Sequence, residues 1–93
     1  MNGRFIWDPQ KAQINLNKHG IRFEEASTVF ADRMRIVLLD EEHSIDEQRF
    51  ITIGYSQSNR LLLVAHVERT GKIRIISARK ATRNERRFYE QGA

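Results

Sequence analysis

The sequence predicts an α+β domain over residues 1–93, and three observations carry that expectation. Helix start and stop signals bracket residues 9–18 and 82–91. The apolar period changes from that of a helix to that of a strand at about Met34. From there to Ala78 the chain is a series of short β-rich runs separated by polar turns. The expected order is an N-terminal strand, two helices, an antiparallel meander and a closing helix, with the helices covering one face of the sheet.

Each element has a local cause. Residues 4–7 lean apolar and predict an edge strand or anchoring arm. Asp8 as N-cap and Pro9 at the first helical position, where its missing N–H costs nothing, start a helix. Ala12 and Leu16 lie one turn apart on its inner face, Lys18 and His19 occupy its last turn, and Gly20 ends it in the left-handed region. A second helix over residues 23–31 presents Phe23, Ala26 and Phe30 as a core-facing stripe. Residues 34–39, 50–55, 60–68 and 72–78 predict strands. The acidic segment 40–47 links the first two, and turns at 56–59 and 69–71 link the rest. The run 60–68 is apolar on both faces over most of its length, which places it centrally in the sheet. Thr82 and Glu85 have the spacing of a capping box at the start of the last helix, and Gly92 is placed to end it.

A length of 93 residues with 40% hydrophobic content fits one modest core. The absence of cysteine removes disulfides, thiol catalysis and thiolate-bound metal, and is compatible with a reducing compartment. Residues 1–7 lack the apolar run of a signal peptide, and the longest apolar run, 61–65, is far too short to cross a bilayer. A cytoplasmic protein without a membrane partner is expected. The net charge of +4 is unevenly spread. Residues 69–87 hold eight cations (Arg69, Lys72, Arg74, Arg79, Lys80, Arg83, Arg86 and Arg87) against the single acid Glu85. Residues 40–47 hold five acids and neither Lys nor Arg. Such a distribution attracts polyanions at one end, unless both stretches are simply solvated surface.

Strand alternation puts His66 and Glu68 on one face, within reach of a common ligand. The plainer reading makes His66 a hydrogen-bonded, half-buried histidine and Glu68 a cross-strand partner for Arg or Lys, and for His66 it is the favoured one. In the following strand Ile73, Ile75, Ser77 and Arg79 share one parity, and Arg74, Ile76 and Ala78 the other. Arg79 and Lys80 then fall in the connection before the last helix, Arg83 in its first turn, and Arg86 and Arg87 in the next. Cations in a first turn oppose the helix dipole at roughly a few tenths of a kcal/mol each. Their presence beside exposed N–H groups describes an anion site. The competing account pairs Arg83 and Arg87 with Glu90 or loop acids and gives them no other work. Phe88 and Tyr89 point to different sides of the helix; Tyr89 is either a base-stacking or phosphate-holding group or, the favoured reading, part of the core. No phosphate-binding glycine loop, metalloprotease helix or nucleophile elbow is present, and His19, His43 and His66 lack ligand spacing, so metal-free chemistry without a cofactor is expected.

Phe5-Ile6-Trp7-Asp8-Pro9 with Lys11, then Asn15-Leu16, Lys18-His19-Gly20 and Phe23-Glu24-Glu25-Ala26, resemble the opening of the BrnT family, toxins of type II toxin–antitoxin systems. The resemblance continues through Asp40, Arg49-Phe50, Ile53-Gly54, the run 60–67, Arg74-Ile75-Ile76-Ser77-Ala78-Arg79 and residues 82–90. Lys80 stands where a second arginine is usual, so a role requiring a bidentate guanidinium is not available there. The resemblance implies a RelE-like ribonuclease fold whose open sheet face and closing helix meet an RNA substrate. It also implies neutralisation by a small cognate antitoxin, BrnA-like and DNA-binding, in a heterotetramer that reaches DNA only through the antitoxin.

Metal-free RNA cleavage needs a base for the 2′-OH, an acid for the 5′-oxygen and cations for the developing phosphorane charge. Arg79 and Arg83 are the candidates for charge stabilisation. His19 and Glu68 are the candidates for proton transfer, with His66 and Tyr89 behind them. Lys18, Lys80, His66, Arg86 and Tyr89 are candidates for binding substrate. A non-catalytic nucleic-acid-binding module and a degenerate toxin kept as a regulatory partner are the alternatives.

Overall fold

The computed structural model describes residues 3–92; residues 1, 2 and 93 of the expected domain lie outside them. Strand β1 (Phe5–Ile6) leads into helix α1 (Pro9–His19) and helix α2 (Phe23–Thr28), which runs on as a single 3₁₀ turn, Val29–Ala31. Strands β2 (Ile36–Leu39), β3 (Phe50–Tyr55), β4 (Leu61–Arg69) and β5 (Lys72–Lys80) follow, and helix α3 (Arg83–Glu90) closes the chain. The helix ends are where the sequence signals put them. The Asp8 side chain accepts from the Gln10 N–H at 2.8 Å. Gly20 takes φ +71° and donates its N–H to Leu16 O at 2.8 Å. Thr82 and Glu85 close both halves of the capping box.

The five strands form one sheet in the order β1-β5-β4-β3-β2, so β4 is central as its two apolar faces require. The sheet is mixed rather than antiparallel throughout. β1 runs parallel to β5, with Phe5 opposite Ile73 and Ile6 opposite Arg74. Phe5 is buried and its ring packs 5.3 Å from that of Phe30, an apolar contact that holds the arm at this edge.

α1 and α2 cover one face. Phe23, Ala26, Val29 and Phe30 meet Leu62, Val64, Ile73, Ile75 and Ala78 there. Burying these side chains is the main source of stability, at about 1.5–3 kcal/mol for each large one. The inner face of α1 differs from the expected one. Asn15 is its buried residue, with Ala12 packed against the core and Leu16 only half-buried.

β5 carries two corrections. It extends to Lys80, with Arg79 opposite Leu63, Lys80 opposite Leu62, and the Ala81 N–H bonded to Leu61 O at 2.9 Å. Arg79 and Lys80 are therefore strand residues rather than linker, because the ladder outlasts the apolar run that marks it. The register also steps from Ala65–Ser77 to His66–Ile75, which leaves Ile76 as an extra residue, a β-bulge. The bulge reverses the alternation part-way along. Ile73, Ile75 and Ala78 all turn into the core, while Arg74, Ser77 and Arg79 share the other, more open face.

Candidate functional site

The open face of the sheet meets α3 at the end of β5. The Arg79 guanidinium donates from Nη1 to Glu85 Oε1 at 2.8 Å and from Nη2 to Oε2 at 2.9 Å. Glu85 Oε1 also accepts the Thr82 N–H at 2.8 Å, so one carboxylate ties the strand to the first turn of the helix. The hydrogen bond from Arg79 holds the Glu85 carboxyl below its usual range and raises Arg79 in turn. Glu85 thereby places a fixed guanidinium beside the helix N-terminus. Arg83 projects from that same first turn, exposed and without an ion pair among the described residues.

The last turn of α3 is anchored. Tyr89 OH donates to Asp32 Oδ2 at 2.6 Å. The same oxygen accepts the Tyr55 N–H at 2.8 Å, while Asp32 Oδ1 accepts the Met34 N–H at 2.9 Å. Burial would raise the Asp32 carboxyl, but these three donors together hold it low. Burial, and next the bond to this carboxylate, push the Tyr89 phenol up to about 12. Its ring stands edge-on to Tyr55 at 5.5 Å. Gly54 leaves the room this requires, since a Cβ there would lie 3.1 Å from Asp32 Oδ2 and 3.0 Å from Val29 Cγ1. Tyr89 is therefore an anchor for the helix, which accords with its reading as a packed aromatic. Arg86, one residue further round α3 than Glu85, donates to Tyr55 OH at 3.0 Å.

The proton-transfer candidates are separated. Glu68 lies five residues along β4 from Leu63, the partner of Arg79, which is about 17 Å of extended strand, and it faces the opposite side. The distance follows from strand geometry: each residue advances the chain by its full rise, so parity and length both take Glu68 away from the corner. His66 is 4% exposed, its Nε2 lies 2.7 Å from Thr52 Oγ1, and its ring sits between those of Phe30 and Phe50. Burial lowers it from 6.5 to about 4. It is a neutral core histidine, and no ligand shared with exposed Glu68 can reach it. His19 is half-buried rather than fully exposed. With Lys11 and Lys18 it lines a shallow cavity of about 190 Å³ against Ile76 and Ser77, at the outer edge of β5. Of the four expected catalytic residues, Arg79 and Arg83 meet at the corner. His19 lies along β5 on the near side of the bulge, and Glu68 is elsewhere.

The expected charge separation is partly closed. Glu47 of the acidic segment takes two hydrogen bonds from Arg69, at 2.7 and 2.9 Å, so that cation is not available to a polyanion. Among the described residues no three His, Asp or Glu side chains converge as a metal-binding group, and no helix is long and apolar enough to cross a membrane.

Residues 7–85 match the family model described as the ribonuclease toxin BrnT of type II toxin–antitoxin systems. The chain belongs to the BrnT family. The match spans α1, α2, strands β2 to β5 and the α3 cap, stopping at Glu85, the residue that holds Arg79. A crystal structure of the Brucella abortus ribonuclease toxin BrnT has the same fold, with a TM-score of 0.65, 23% identity, and coverage of 85% of this chain and 96% of that one. Curated proteins offer no match. Membership of a type II toxin–antitoxin family implies a cognate antitoxin for this BrnT-family chain.

Sequence reasoning overlooked two of the groups that build the corner. Asp32 and Tyr55 have no motif around them. The one local signal is at Asp32, whose side chain bonds the N–H two residues on, a turn that Asp favours.

Proposed function

We propose that this chain is a metal-independent endoribonuclease, one RelE-like domain over residues 1–93, that arrests growth by cutting RNA in the cytoplasm. The observation that carries the reading is the pairing of Arg79 with Glu85 beside an unpaired Arg83 at the start of α3. Two guanidinium groups, one fixed by a carboxylate and one free, flank backbone N–H groups of a capped helix. That arrangement suits the phosphorane charge that develops as a 2′-oxygen attacks the adjacent phosphate. Cleavage leaves a 2′,3′-cyclic phosphate and a 5′-hydroxyl. His19, with Lys18 beside it, is the proton-transfer candidate that lies against Ile76 and Ser77 of β5, the strand that carries Arg79.

A small DNA-binding antitoxin of the BrnA kind neutralises the toxin in a heterotetramer, and DNA is reached only through it. Membership of a type II family supports this reading.

The test is incubation of purified protein with RNA in EDTA. Cleavage that yields 5′-hydroxyl ends supports the nuclease. A salt-sensitive gel shift without cleavage supports instead a non-catalytic binding module or a degenerate toxin. The separation of Glu68 and the burial of His66 favour that second reading, because they leave the corner with few proton-transfer groups.

A further inference from the structure

Beside the corner, on the other side of β5, lies a cleft of about 400 Å³ lined by Tyr55, Asn59, Arg60, Lys80 and Arg86. Consecutive residues of a strand point to opposite faces, so Lys80 turns away from Arg79 into this cleft. Arg60 and Lys80 both act on one carboxylate here, that of Glu25. Glu25 is already engaged: it takes Arg60 Nε at 2.9 Å, Arg60 Nη2, and the Ser56 hydroxyl at 2.6 Å. Arg60 Nη1 has no partner among the described residues. The Lys80 ammonium makes no ion pair among them, although its charge is near enough to help hold the Glu25 carboxyl low, after the larger effect of Arg60. Arg86 enters from α3, held to the Tyr55 hydroxyl at 3.0 Å. Because Arg83 and Arg86 are three apart on α3, they lie on neighbouring positions of one helix flank and connect the corner to the cleft.

We infer that this cleft is a second subsite, taking a backbone phosphodiester of the RNA that flanks the one cut at Arg79 and Arg83. This rests on the ribonuclease reading. The ligand is anionic because three cations line the cleft and the neighbouring carboxylate, Glu25, is already paired with one of them, Arg60. It is a backbone phosphate because the cleft's three charged tips outnumber its groups with an acceptor for a base edge, Asn59 and the Tyr55 hydroxyl. The subsite serves affinity and register rather than bond-breaking, so its residues are positioning residues.

The experiment measures binding of a non-cleavable 2′-O-methyl RNA oligonucleotide by fluorescence anisotropy across a salt series, and single-turnover cleavage of the matching RNA. Lys80→Ala weakens binding about five- to tenfold and lowers the salt slope by about 0.7, the value for one contact to a single strand. Lys80→Glu weakens it further. At saturating RNA the cleavage rate stays within about twofold of the parent, so the loss appears in KM rather than kcat. Lys72→Glu, the same charge change at the far end of β5, leaves binding within about twofold. Parent-like binding by Lys80→Glu overturns the subsite, and so does an equal loss in Lys72→Glu, which marks a bulk-charge effect. Absence of cleavage by the parent protein sinks the ribonuclease reading instead, and the binding series still decides the subsite.

Discussion

Arg79 and Glu85 hold each other in a two-bond pair, 2.8 and 2.9 Å, across the junction of β5 and α3. The pair makes two consequences separable. Arg79→Ala removes a phosphate-facing guanidinium and also strips Glu85 of its partner. It should therefore abolish RNA cleavage and growth arrest and cost about 1 kcal/mol of stability, or ~4–8 °C in melting temperature for a chain this size. Arg83→Ala should abolish activity to the same degree, at least ~100-fold, without moving the melting temperature. Thermal melts of the two variants beside a cleavage assay check this. Full activity in either variant moves the site away from the corner.

His66 gives the stability an acid limb. Its folded value of about 4 lies below its ordinary 6.5, so the unfolded chain takes up a proton in that window and the folded chain does not. Stability is complete above pH 6.5 and falls as pH drops towards 4, by on the order of 3 kcal/mol. Replacing both partners, Thr52→Val with His66→Leu, removes the buried hydroxyl together with the ring nitrogens. Denaturant melts at several pH values should show this limb in the parent and its absence in the double variant. Cleavage at neutral pH should be retained. A double variant without activity would give His66 a role in the chemistry.

The Asp32–Tyr89 bond decides how α3 is held. Tyr89→Phe keeps the ring and loses the hydroxyl, and should cost about 1–2 kcal/mol. Gly54→Ala pushes a methyl to 3.0 Å from Val29 Cγ1 and 3.1 Å from Asp32 Oδ2, and should cost about 1–3 kcal/mol. The phenol is raised to about 12, so the folded state keeps a proton that the unfolded chain releases near pH 10. Stability should fall between those values in the parent and not in Tyr89→Phe. Alkaline melts of both proteins check it. A Tyr89→Phe variant as stable as the parent, yet weakened in RNA binding, would make Tyr89 a substrate contact instead of an anchor.

What the sequence made legible were features with a local cause. Asp8-Pro9, Gly20 and the Thr82–Glu85 box act within four residues, and their helix ends are where those signals stand. The central place of β4 followed from two apolar faces. The bulge at Ile76 left no such trace, because an extra residue inside a run of isoleucines changes parity without changing composition. That one residue decides which face Arg74 and Ile75 take. The site was legible as charge but not as geometry. Arg79 and Arg83 stood out against the helix dipole, whereas the pairing of Arg60 with Glu25, 35 residues apart, depends on how α2 docks on the sheet. Glu68 stands away from the corner for a related reason: proximity in sequence to His66 says nothing about distance from Arg79.

Asn15 does for the edge of β5 what a sixth strand would do. Past Arg74, β1 no longer accompanies β5. At Ala78 the Asn15 side chain donates to the carbonyl at 2.9 Å and accepts the N–H at 3.0 Å, and it also donates to Ile21 O at 2.9 Å. A buried amide so placed satisfies one strand residue on both sides and locks α1 to the strand that carries Arg79. Asn15→Leu leaves three backbone groups without partners and should cost about 2–4 kcal/mol. Asn15→Asp, able to accept but not to donate, should cost at least as much, since its charge faces two carbonyl oxygens. Amide hydrogen exchange locates the effect: the Ala78 N–H should be protected in the parent and exchange much faster in both variants, with Val64 across the ladder changed less. Unaltered protection at Ala78 would mean that the sheet, and not the asparagine, holds that edge.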